Sequence, residues 1–264
     1  MLEVLHYTDH SADTPSGIRE TLPVVVLLHG LFGSSDNLTV IRKHLEDNFR
    51  VINFDLPDHG RSTYSSGFNF EEYANRVIHT LQTLNINHAS IIGHSLGGKI
   101  AMWIAYLQAE LIEHLIILDI APIAYEPRHE RVLKGLQSVD LTSVKTRKEA
   151  DSAMAEYILD SGTRAFLLKS LYEKDGQWQW RFNLALLTRD YHLLSEWPLF
   201  NTTVFKRDTL FIKGDKSDYI LPEHQAIIMR QFPKAKAKVV PAGHWLHAEK
   251  PQIVNSLITK HLLK

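Results

Sequence analysis

Ser95 stands in Gly93-His94-Ser95-Leu96-Gly97, a serine with a glycine two residues away on either side, which fits the G-x-S-x-G pattern of a nucleophile elbow. The apolar run before it, Ser90 to Ile92, reads as a strand, and "KIAMWIAYL" after it reads as an apolar helix. A strand that turns so sharply into a helix leaves room only for small residues at the glycine positions and lifts the serine above the sheet. The helix N-terminus beneath it favours negative charge. Ser95 is therefore the candidate nucleophile, and a serine nucleophile needs a base, an acid to orient that base, and donors for an oxyanion. His244, in "PAGHWLHAEKP", is the candidate base, because it stands in a short loop directly after the predicted strand Lys238 to Val240, whereas His247 falls in the turn beyond. "LLHGLFGS" ends an early strand as an oxyanion loop does. The candidate donors are the backbone N–H groups of Leu31 and Leu96, with Phe32 the alternative to Leu31. For the acid the residues leave a choice: "TLFIKGDKSDYI" ends a strand and offers Asp215 and Asp218 with Ser217 between them.

These residues need a scaffold that brings distant loops to one edge. "VVVLLHG", "RVINFD", "ASIIGH", "HLIILD" and "TLFIK" are near-continuous apolar runs of strand length, as expected where both faces of a parallel sheet are covered. Helical stretches lie between them. In "NFEEYANRVIHTLQTLNI", Tyr73, Val77, Leu81 and Leu84 recur at helical spacing, and Asn69 with Glu72 three residues on reads as a capping box. Strands alternating with helices predict an α/β fold with a mostly parallel, doubly wound sheet. From 121 to 207 the alternation breaks into several helical patterns, "RHERVLKGLQSV", "TRKEADSAMAEYILD" and "GTRAFLLKSLY", with "WQWRFN" after them. The expected organisation is a core of residues 1–120 and 208–264 with a helical cap, 121–207, over the strand ends where open α/β sheets bind ligands.

Composition narrows the function classes. With 264 residues, 44% of them hydrophobic, and a formal net charge of −1, the chain has a sizeable core and no basic stripe for nucleic acid. Its 15 His are scattered, without metal-ligand spacing, and it has no Cys, which removes disulfides, Cys-bound zinc and thiol nucleophiles. No run approaches about eighteen apolar residues and "MLEVLHYTDHSADTPSG" has no leader pattern, so membrane insertion is not expected and a cytoplasmic location is.

Over essentially its whole length the chain resembles the α/β-hydrolase family, and within it the YbfF-type bacterial esterases. "HGLFGSSDNL", "HGRS", "GHSLGGK", "LDIAP", "FLLKS", "WRFN", "GDKSDYI" and "GHWLHAEKP" carry the resemblance, in core and cap alike. It implies a carboxylesterase or thioesterase with a helical cap, acting on short- to medium-chain acyl esters or acyl-CoA thioesters, with no metal or organic cofactor. Most relatives place the acid in G-x-x-D after the seventh strand, and here Gly214-Asp215-Lys216-Ser217 puts serine there. A serine carries no charge to stabilise an imidazolium, and a neutral replacement of the acid in a well-studied triad costs ~10⁴-fold in turnover.

Asp119 is the candidate that restores the charge. It ends "HLIILD", the strand that neighbours that of Ser95 in the usual hydrolase order, ~4.8 Å away. The YbfF-type pattern likewise pairs a "DIAP" aspartate with a serine in the later loop. The resemblance thus implies Ser95 as nucleophile, His244 as base, Asp119 as acid and Ser217 as an auxiliary hydrogen-bonding partner of the histidine, with Asp215 and Asp218 as fallback acids. Asp55 and Arg61 are expected to hold loops together, and Lys99 to be structural or solvated. Trp178, Trp180, Arg181 and Phe182 either line an acyl pocket, contact a polar leaving group or form the core of the cap. Dehalogenase and epoxide-hydrolase chemistry needs aspartate at the elbow; perhydrolase and carbon–carbon hydrolase chemistry uses the parts present. A non-catalytic hydrolase-fold binding protein usually lacks one of the three catalytic residues.

Overall fold

The computed structural model describes residues 2–11, 21–198, 200 and 202–264. Part of the N-terminal stretch read above for a leader, and two residues of the predicted cap, lie outside the described residues. In chain order the first half comprises β1 (Tyr7–His10), β2 (Val24–Leu28), α1 (Thr39–Leu45), β3 (Arg50–Phe54), α2 (Phe70–Thr83), β4 (Ala89–His94), α3 (Leu96–Leu107) and β5 (Ile112–Leu118). An insertion follows: α4 (Glu130–Gln137), α5 (Arg147–Ala155), α6 (Ser161–Leu168), β6 (Leu171–Lys174), β7 (Gln177–Trp180), α7 (Leu184–Arg189) and α8 (Tyr191–Ser195). The chain then returns through β8 (Thr209–Gly214), α9 (Gln225–Gln231), β9 (Ala235–Val240), α10 (Leu246–Glu249) and α11 (Pro251–Leu262).

Among the described residues seven strands form one sheet, in the order β1-β3-β2-β4-β5-β8-β9. Within this sheet, as far as the described residues show, only β1 runs antiparallel, along β3, and the other strands pair in parallel. The apolar runs are continuous because both faces are covered. Tyr73, Val77 and Leu81 of α2 with Ile100 and Ile104 of α3 pack on one face, and Ile41 and Leu45 of α1 with Val254 and Ile258 of α11 pack on the other. Asn69 caps α2 by accepting the Glu72 N–H at 3.1 Å, one half of the expected capping box. No helix among the described residues is long and apolar enough to cross a membrane.

The insertion is not wholly helical. β6 and β7 pair as an antiparallel hairpin whose two-residue turn, Asp175-Gly176, has φ of 51° and 77°. Two positive-φ residues match the twist of the flanking strands, which is why Asp-Gly is favoured there. "WQWRFN" is thus strand and strand exit, and β1, a polar edge strand, is likewise absent from the sequence reading.

Candidate active site

Two backbone features build the site. Ser95, between β4 and α3, has φ 52° and ψ −117°, and its N–H bonds the Leu118 carbonyl of the neighbouring strand at 3.0 Å. A Cβ on Gly97 would sit 2.1 Å from the Leu28 carbonyl oxygen, so only glycine lets α3 start this close to β2. Asp119, directly after β5, also has positive φ, 51°, and its N–H bonds the Ile212 carbonyl at 2.8 Å. Non-glycine residues keep such conformations only where the surroundings fix them, and such residues cluster at functional sites.

His244 reaches both side chains from the loop after β9. Its Nδ1–H donates to Asp119 Oδ2 at 2.8 Å, which leaves Nε2 to accept from Ser95 Oγ at 3.0 Å. The loop fits because a Cβ at Gly214 would lie 2.4 Å from the carbonyls of Ala242 and Gly243. Asp119 is fully buried, and its Oδ1 accepts the Gly214 N–H at 3.0 Å. Ser217 joins this cluster with a different partner from the one expected. Its hydroxyl donates to Asp119 Oδ2, not to the imidazole, because the β8 loop brings it to the carboxylate, where the Tyr219 N–H also bonds Ser217 Oγ at 3.3 Å. The fallback acids stand apart: Asp215 is exposed, and the exposed Asp218 pairs with Arg128 at 2.8 Å.

The neighbouring residues separate further. Phe32 is eliminated as an oxyanion donor, since its N–H already bonds His59 Nε2 at 3.2 Å. The Leu96 N–H is the first of α3 and has no intrahelical acceptor. Leu31 and Leu96 both border the space beside Ser95. His247 is buried against His94, ring centroids 4.5 Å apart, and burial pushes its pKa down to about 4. His94, the variable residue of the elbow, donates Nε2–H to the His244 carbonyl at 2.9 Å, a support that the sequence did not reveal. Asp55 accepts the Ser35 and Arg61 N–H groups at 2.7 and 2.9 Å and so ties loops together. Lys99 is buried, and Nζ donates to the Glu196 carbonyl at 2.9 Å and to those of Leu194 and Ser195 at 3.3 Å. Burial holds its pKa down, to about 7.

Two cavities meet at Ser95, Leu31, His129 and Tyr219. The smaller, about 50 Å³, runs past Leu96 and Lys99 toward Tyr125 and Leu194. The larger, about 200 Å³, is bordered by His244, Val132, Phe166, Leu167 and Trp245. His129 and Tyr219 went unnoticed in the sequence, although Tyr219 lies two residues from Ser217. The Tyr219 ring stacks on His244, centroids 4.0 Å apart, and the Tyr191 hydroxyl bonds His129 Nδ1 at 2.6 Å. Trp178, Trp180, Arg181 and Phe182 border neither cavity. Trp180 and Phe182 stack on each other and are buried, while Arg181 lies over the Tyr172 ring. Among the described residues no group of three or more His, Asp or Glu is arranged to hold a metal ion.

Fold and sequence together define the class: residues 23–251 match the model of the alpha/beta hydrolase fold family, and the chain belongs to that family. Within it, the chain is 38% identical to "Putative esterase/lipase" of Haemophilus influenzae over 94% of this chain and 86% of that one. It is 36% identical to "Esterase YbfF" of Escherichia coli K12 over 90% and 92%. A solved structure described as "Marine microorganism esterase" superposes with a TM-score of 0.91 at 31% identity, covering 98% of this chain and 99% of that one.

Proposed function

We propose that the protein is a serine esterase that works through an acyl-enzyme. The observation that carries this reading is the continuous hydrogen-bonded line from Ser95 Oγ through both nitrogens of His244 to the buried Asp119 carboxylate. Relatives named as esterases over most of their length support it. As Ser95 Oγ attacks the ester carbonyl carbon, its proton passes to His244 Nε2, and the Asp119 charge stabilises the imidazolium. The Leu31 and Leu96 N–H groups hold the oxyanion of the tetrahedral intermediate. Collapse breaks the bond to the leaving oxygen, which takes the proton from Nε2. Water, deprotonated by His244, then attacks the acyl-enzyme, and the second collapse returns the proton to Ser95 and releases the acid.

Because the group that protonates the leaving atom borders only the larger cavity, the leaving group occupies that cavity and the acyl chain the smaller one. A small acyl space favours short chains over the medium ones. Thioesters, acyl-CoA among them, use the same parts with sulfur as the leaving atom. The segment 121–207 acts as the cap that closes both cavities.

A series of p-nitrophenyl esters and acyl-CoA thioesters, run on wild type and Ser95→Ala, tests the reading together with fluorophosphonate labelling. Turnover that vanishes in Ser95→Ala, with the label on Ser95 in wild type, is the expected result. Undiminished turnover in Ser95→Ala sinks the proposal, and a wild type that neither turns over nor takes the label points instead to a non-catalytic binding protein.

A further inference from the structure

His59 of "HGRS", Ser170 of "FLLKS" and Phe182 of "WRFN" have no part in the chemistry above, yet all three converge on one residue, Phe32. Gly30 to Gly33 form a tight turn, closed by the Gly33 N–H on the Gly30 carbonyl at 3.1 Å, with Leu31 and Phe32 at its centre. Phe32 has φ 60°, in the left-handed region that glycine normally fills. A phenylalanine stays there only where its surroundings over-determine it.

Its two backbone polar groups are held from opposite parts of the chain. His59, in the loop after β3, accepts the Phe32 N–H at 3.2 Å, and Ser170, in the insertion, donates its hydroxyl to the Phe32 carbonyl at 2.9 Å. The His59 ring is fixed in turn, because its Nδ1–H donates to the Pro57 carbonyl at 2.8 Å. Burial and the neighbouring His29 push its pKa down to about 3, so Nε2 keeps the lone pair that the Phe32 N–H requires.

The hairpin brings the two holding groups together. Ser170 precedes β6 and Arg181 follows β7, and the Arg181 N–H bonds the Ser170 carbonyl at 2.8 Å. Phe182 then forms an antiparallel bridge with His59, while the Asn183 N–H and side-chain amide each bond Asp58 at 2.9 Å. The Phe182 ring packs against Phe32, centroids 5.2 Å apart, and Phe32, His59, Ser170 and Phe182 are all buried. Leu31 and Phe32 are the two central residues of one closed turn, so bonds that hold the peptide planes on either side of Phe32 restrain the turn that carries the Leu31 N–H.

We propose that Ser170 and His59 are positioning residues: they hold the Leu31–Phe32 turn so that the Leu31 N–H aims at the oxyanion. The cap thereby takes part in transition-state stabilisation as well as in shaping the cavities. This rests on the esterase reading and on Leu31 as an oxyanion donor.

The test uses the full chain with p-nitrophenyl acetate, the active fraction being counted by fluorophosphonate. Ser170→Ala lowers kcat per active site by roughly tenfold to thirtyfold with KM within about twofold, a part of the ~10²–10³-fold that loss of an oxyanion donor costs. Inhibition by phenylboronic acid, which forms a tetrahedral adduct on the serine, weakens by the same factor. Ser170→Thr, which keeps the hydroxyl, restores both constants, and Ser170→Cys, similar in shape but a weak donor, falls between. Should Ser170→Ala not fold, the Ser170→Cys and Ser170→Thr pair carries the comparison. A Ser170 with only a structural role would change the active fraction and the unfolding temperature and leave kcat per active site and boronate affinity at wild-type values; that result overturns the positioning role while Ser95 labelling keeps the esterase reading intact. Wild type that neither turns over nor labels overturns both.

Discussion

Asp119 stands where β5 ends, and three donors converge on its carboxylate: Gly214 N–H, Ser217 hydroxyl and His244 Nδ1–H. With Gly214 on Oδ1 and Ser217 and His244 on Oδ2, both carboxylate oxygens are held and the direction of the group is fixed. Ser217 therefore bonds the carboxylate proposed as the acid, and not the histidine proposed as the base. Ser217→Ala is expected to lower kcat by about tenfold, since a hydrogen bond to a charged group contributes about 1.5 kcal/mol or more and one pKa-sized step is about tenfold in rate. Steady-state kinetics on a p-nitrophenyl ester, with KM unchanged, checks this, and a loss as deep as that of Asp119→Asn would show that Ser217 does more than support the carboxylate. Ser95 and His244 were legible in the sequence because a nucleophile elbow and a histidine after the last sheet strand have fixed residue types and spacings. The Ser217 partner was not, because a hydroxyl bonds in either direction and only the loop's path decides what it meets. The same holds for Phe32, whose N–H is taken by a residue 27 positions away.

At the scale of elements, the elbow depends on how closely α3 starts to β2. Gly97→Ala puts a methyl carbon 2.1 Å from the Leu28 carbonyl oxygen, an atom of the backbone that no rotamer change can move. The cost is at least the ~1–3 kcal/mol typical of overpacking, and thermal unfolding should register it as a clearly lowered midpoint or as a failure to fold. A Gly97→Ala protein with wild-type melting would contradict the close approach. The parallel strands were readable as continuous apolar runs because helices cover both faces of the sheet. β1, one half-buried strand at the edge, carries no such run, and the β6–β7 hairpin escaped because its strands span only four residues each. Its Asp-Gly turn was the available signal.

The whole molecule buries several neutral imidazoles. His29, His94, His129 and His247 are all shifted down from the ordinary histidine range by burial, as is His59. With native values below the unfolded value of 6.5, the unfolded chain binds protons that the native chain refuses as the pH falls toward about 4. Stability therefore falls with pH through that window, by ~1.4 kcal/mol per pH unit for each proton refused. Urea midpoints measured from pH 7.5 down to 4.5 should decline steadily below 6.5, and a flat series would contradict neutral burial. The cavities, too, belong to this scale. His129, Phe166, Tyr219 and Trp245 come from four separate segments, and nothing in their local patterns announces that they meet beside Ser95.

That meeting makes one comparison decisive for the assignment of the acid: kcat of Asp119→Asn beside Asp215→Asn and Asp218→Asn, in proteins shown to be folded by their unfolding transitions. The arrangement predicts a loss of ~10⁴-fold for Asp119→Asn, the size expected when the imidazolium loses its charged partner, and near wild-type rates for the other two. Near-full turnover in folded Asp119→Asn, with the loss appearing instead in Asp215→Asn or Asp218→Asn, would contradict it.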